Sequence, residues 1–170
     1  MRYDYTDRVI EEWTAARPDI DASTAAVVNR ILRLARYLEN DLNAVATHHG
    51  LSHKGDFDTL AALRRRRPEQ QLSPTQLAEA ALITTGGMTS RLDRLEQAGY
   101  LERKADPEDR RALLVRLTEA GQAIVDKIYE ANVQSHQQSL RTVDAHQRAE
   151  LADQLRALLI DSGDGEEWAT

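Results

Sequence analysis

Between residues 84 and 98 the chain sets out Thr85, Gly86, Gly87, Thr89, Ser90, Arg91 and Arg94 on one short helical stretch. These are groups suited to nucleic acid. Hydroxyls can bond phosphates or base edges, and arginine is the commonest reader of guanine. Each glycine costs a helix about 1 kcal/mol relative to alanine. That cost has a use where a phosphate or base edge must approach the backbone closely. A polar solvent face with a loose start accounts for the same residues, so the stretch alone leaves both readings open.

Other clusters point less clearly to chemistry. His48, His49 and His53 gather near the end of a long helix and could bind metal or sense pH. No well-spaced carboxylate completes a ligand set, so a solvated helix end is preferred and no metal or cofactor is expected. Four arginines run from Arg64 to Arg67. They read better as the solvated last turn of a helix, where cations suit the macrodipole, than as a nucleic-acid patch. There is no glycine-rich phosphate loop, no G-x-S-x-G and no H-E-x-x-H. Cysteine is absent, which excludes disulfides, thiol catalysis and cysteine-ligated zinc. The expectation is a protein without catalytic activity.

Net charge is −6, which at first argues against nucleic acid. Its distribution is uneven. Residues 54–116 hold 12 basic and 10 acidic side chains, whereas the rest of the chain holds 10 and 18. A basic middle between acidic flanks suits a DNA-reading segment, although ordinary surface scatter explains the partition as well. The charged N-terminus lacks a signal-peptide core, and no apolar run reaches the ~20 residues of a membrane span. Together with the missing cysteine this fits a cytoplasmic protein.

The elements that must position these groups follow from periodicity. A short helix is expected at residues 5–16, ended before Pro18. Asp21 or Ser23 caps a long helix carrying the stripe Val27, Ile31, Leu34, Leu38 and Leu42. Gly50 closes it, and Ser52 is a cap for a helix with Phe57, Leu60, Ala61 and Leu63 inside. Ser73-Pro74-Thr75-Gln76 has the form of a capping box with proline at N1. Thr84 or Thr85 caps the following helix, whose inner face is Met88, Leu92 and Leu95, and Gly99 closes it. Two short helices in tight succession make a helix-turn-helix. Residues 100–104 and 112–117 then read as two strands around the polar turn ADPEDRR, and Thr118 caps a further helix. The fold class is mainly α with a small β wing: a winged helix-turn-helix.

Three stretches carry a resemblance. Residues 106–121, DPEDRRALLVRLTEAG, resemble the wing motif of MarR-family regulators. Residues 88–103, MTSRLDRLEQAGYLER, are similar to that family's recognition helix and first wing strand, and LSPTQLAEA at 72–80 resembles the helix before it. The likeness runs through about residues 25–160. It implies that Arg111 enters the minor groove at the wing tip, that Asp109 orients it, and that Arg110 meets a phosphate. A narrow minor groove, strongly negative, suits an inserted arginine. The helix from Thr85 would lie in the major groove.

The resemblance also implies a homodimer that represses transcription at a pseudo-palindromic operator and is released by a small aromatic, phenolic or other anionic ligand. Stripes at Ala123, Ile124, Ile128, Ala131 and Val133, and at Leu151, Leu155, Leu158 and Leu159, suit a second subunit. Residues 1–50 and 119–162 are thereby assigned to dimerisation, 51–118 to the DNA-binding lobe, and 163–170 to a flexible tail. Trp13, Arg17, Pro18 and Asp19 look like the branch of the family with urate-responsive members, which makes Trp13, Asp58 and Arg65 pocket candidates. A winged-helix protein-interaction module without DNA binding is the alternative. The arginine- and hydroxyl-rich helix face argues against it.

Overall fold

A computed structural model describes residues 3–66, 71–81, 83–105 and 113–163. Two compact units divide the chain, 1–131 and 132–170. In the first, α1 (Tyr5–Ala16) is closed by a reciprocal cap in which Asp4 accepts from the Asp7 amide and Asp7 accepts from the Asp4 amide. Arg30 of α2 (Ser23–His48) bonds Asp4 and Asp7 together, fixing the two helices side by side. Ala22 is the cap residue of α2, and Asp21 holds the Ser23 amide and hydroxyl from outside the helix. Gly50 takes φ +90 at the end of α2, the left-handed conformation a chain reversal needs there.

The helices α3 (Lys54–Arg64), α4 (Pro74–Ala80) and α5 (Thr85–Gln97) enclose one apolar centre. Leu60, Leu63, Leu77, Ala78, Met88, Leu92 and Leu95 are all buried in it. Burial of each large side chain contributes about 1.5–3 kcal/mol relative to exposure. The α4 capping box forms as the sequence predicts, with Ser73 Oγ accepting from the Gln76 amide and Gln76 from that of Ser73. Helix α3 begins later than expected, with His53 as cap residue, because the Ser52 amide donates instead to the Asp56 carboxylate.

The strands β1 (Leu101–Ala105) and β2 (Leu113–Leu117) pair antiparallel, Leu101 opposite Leu117 and Ala105 opposite Leu113. Leu101 and Val115 point into the core, and Leu72 bridges to Val115. Helix α6 (Glu119–Ser139) starts from Thr118, whose hydroxyl accepts from the Gly121 amide and donates to the Gly99 carbonyl. Gly121 packs so tightly that a Cβ there would stand 1.8 Å from the Tyr100 carbonyl oxygen. Val125 and Ile128 of α6 join the core, so Ile128 packs within its own chain and not on the partner-facing stripe expected for it. In the second unit, α7 (Ala145–Asp161) is capped by Asp144 and Gln147 and buries none of its residues.

Candidate nucleic-acid interface

Helix α5 is built for display. Thr84 Oγ1 accepts from the Gly87 amide and fixes the first turn. Met88, Leu92 and Leu95 press one face into the core, and Gly99, at φ +77, turns the chain into the wing. Arg103 of β1 reaches back to Asp93 and Glu96, tying wing and helix together. What remains outward on the first two turns is Thr85, Gly86, Gly87, Thr89 and Ser90, all exposed.

The two arginines expected beside them both pair with groups of α3. Arg91 is only 15% exposed in its side chain and donates to the Gly55 carbonyl (3.0 Å) and Thr59 Oγ1 (3.2 Å). Arg94 grips Asp56 through Nη2 at 2.6 Å and Nε at 3.3 Å, and His53 Nε2 lies 3.2 Å from Nη2. The Asp56 hydrogen bond holds the Arg94 guanidinium above its usual value, so it stays charged throughout. Arg91 is thus largely withdrawn from the helix surface expected for it, whereas Arg94 is paired yet keeps 40% of its side chain exposed. Positions 91 and 94 flank the apolar stripe, and their long side chains fold over it towards a buried carboxylate.

Asp56 is the residue that sequence reasoning missed. Its side chain is 1% exposed, and its neighbours are Arg94, Arg91, His53 and the Ser52 amide. Its position signals this. Residues 56, 60 and 63 share one face of α3, so a carboxylate stands on the stripe of Leu60 and Leu63 and requires a cation. Gly55 completes the arrangement, since a Cβ there would meet Arg91 Nη2 at 2.8 Å.

The ligand candidates are not brought together. Trp13 is 60% exposed on α1. Asp58 pairs with Lys54 at 2.6 Å, and Arg65 closes α3 with an exposed side chain. No hydrogen bond or ion pair among the described residues links the three. His48 and His49 meet edge to face while His53 turns to Arg94 and Asp56, and no group able to hold a metal ion occurs among the described residues. No helix there is long and apolar enough to cross a membrane. The wing-tip candidates Asp109, Arg110 and Arg111 lie outside the described residues.

Comparison with known proteins bears on this geometry. Residues 49–112 match the sequence model of the MarR family. The transcriptional regulator PecS of Dickeya dadantii is 34% identical over 158 residues, covering 93% of this chain and 92% of that protein. A crystal structure of mutant MarR from E. coli complexed with operator DNA superposes with TM-score 0.68 at 25% identity, covering 81% of this chain and 97% of that one. AbsC of Streptomyces coelicolor, 21% identical, shares the fold with TM-score 0.73 over 84% of this chain and 95% of its own.

Proposed function

The chain belongs to the MarR family, and on that premise we propose that it is a homodimeric repressor, released from a pseudo-palindromic operator by a small aromatic or anionic ligand. The observation that carries the DNA-binding part is the α5 face: Thr85, Gly86, Thr89 and Ser90 stand outward on a helix locked from behind by a buried core and the Asp56 pairs. Such a face enters a major groove, and a wing beside it reaches the neighbouring minor groove. Arg111 with Asp109 at the wing tip, and Arg110 on a phosphate, complete the contact.

Dimerisation is supported by apolar side chains with no cover in one chain. Val27, Leu34, Leu158 and Leu159 are half exposed or more. A helix with four leucines and no buried residue, as α7 is, needs a partner, and a second copy supplies one. Residues 1–50 and 119–162 are assigned to that interface, with two reading heads roughly 34 Å apart. Trp13, Asp58 and Arg65 remain the ligand candidates. They would have to act from a state in which a second subunit or the ligand brings them into range.

Gel-shift titration of the full chain on its own upstream region tests the reading. Affinity should fall steeply as salt rises, because phosphate contacts release counterions. Arg111→Ala should weaken binding strongly while leaving a folded dimer. Salt-insensitive binding, or unchanged affinity of the variant, would refute the respective role.

A further inference from the structure

Both arginines of α5 are engaged, Arg91 at Gly55 and Thr59 and Arg94 at Asp56, although Arg94 keeps 40% of its side chain exposed. Further along it is Asp93, whose charge Arg103 compensates, so the first two turns carry the uncharged part of the face. There the Thr89 hydroxyl donates to the Thr85 carbonyl at 2.9 Å, which commits its proton within the helix and leaves its methyl and its acceptor lone pairs. One turn before it on the same face is Gly86. Its φ is not positive, and a Cβ built on it meets nothing within 4 Å. Gly55 and Gly87 differ, since a Cβ would crowd Arg91 on the one and Thr84 Oγ1 on the other. Nothing inside the protein asks for glycine at position 86, yet the helix bears its cost.

We propose that α5 reads the 5-methyl group of thymine in the major groove, with the Thr89 methyl as the apolar contact and the open place at Gly86 admitting the base edge. This rests on the DNA-binding reading above and specifies its readout. A·T pairs lie beneath α5, distinguished by methyl contact. Ser90, beside Gly86 and Thr89, offers a hydroxyl to an adjoining acceptor.

The test uses the full chain and a duplex selected by it from a randomised pool. Thymines of each half-site are replaced singly by deoxyuridine, which removes only the methyl. At one position per half-site binding should weaken about four-fold, the effect of losing one buried methyl group. Thr89→Ser keeps the hydroxyl bond to Thr85, should weaken binding about sixteen-fold because both subunits lose the contact, and should become indifferent to uridine at that position. Gly86→Ala should keep or raise Tm while weakening binding about ten-fold per reading head, about a hundred-fold for the dimer, the scale of forcing a methyl into a closed contact. Uridine tolerated everywhere overturns the proposal, as does a Ser variant that keeps the full uridine penalty or a Gly86→Ala protein of undiminished affinity. Failure to select any duplex overturns the DNA-binding reading itself, a distinct result.

Discussion

Replacing Asp56 by alanine removes the carboxylate that holds the reading helix. In the native protein that group is 1% exposed, accepts two bonds from Arg94 and one from the Ser52 amide, and lies 4.0 Å from Arg91 Nε. Breaking a fully buried pair costs 3–5 kcal/mol, mostly because the remaining charge is stranded. Here the stranded charge has an escape. Arg94 is 40% exposed and can rehydrate, and Arg91 keeps Gly55 and Thr59. The expected loss is therefore lower, about 2–3 kcal/mol, close to that of one or two charge-assisted hydrogen bonds. Urea unfolding at fixed protein concentration measures it, since association would shift the midpoint. With a slope of about 1–3 kcal/mol/M, the midpoint should fall by roughly 1 M or more. Arg94→Ala and the double variant complete a cycle, in which the coupling should exceed about 1 kcal/mol. A midpoint unchanged in Asp56→Ala, or additive losses, would show that the pair does not hold α5.

Three further outcomes are expected. Gly121→Ala drives a methyl group against the Tyr100 carbonyl, and the backbone shift should cost about 3 kcal/mol or more, read as a large drop in thermal midpoint; a drop of only a degree or two would refute the packing described. Asp4 is held below its ordinary value of 3.8, first by the Asp7 amide and then by Arg30. Its contribution to α1 is thus whole above that pH and fades as pH falls through the lower value it has in the fold. Tryptophan emission should report an acid step that Asp4→Asn abolishes, and a step unaffected by that change would remove Asp4 as its origin. Trp13→Ala should blunt release from DNA by phenolic or purine anions more than it alters operator binding, and a normal response in gel shifts would take Trp13 out of the pocket.

Local signals were legible wherever the chain contacts itself at short range. The Ser73–Gln76 box, the Met88–Leu92–Leu95 stripe and the Gly99 turn all follow from spacing within a few residues. The arginines of α5 did not, because their partner is a carboxylate 38 positions earlier for Arg94, and periodicity on one helix is silent about what another presents. Position 91 or 94 on a polar arc looks the same whether its side chain points to water or bends to a buried anion. The carboxylate could have been found first. Asp56 on the apolar face of α3 is a local anomaly, and such an anomaly announces a distant cation. Ile128 was misassigned for a related reason, since an amphipathic helix alone does not say which of two neighbours its apolar face serves.

The contact of Gly121 with Tyr100 has a mechanical consequence. The joint sits near one end of α5, while the residues that would meet a base sit at the other, and because the core and the Asp56 pairs hold α5 along its length, helix and lobe would turn together about a fulcrum at the start of α6. Thirteen residues make an arm of about 20 Å. A tilt of about 5° at the fulcrum would swing the far tip by about 1.7 Å, beyond the ~0.5 Å within which a recognition constellation must be held. Because the joint has no slack to absorb a tilt, a small rotation where α6 begins would be magnified at the fingertips of the reader.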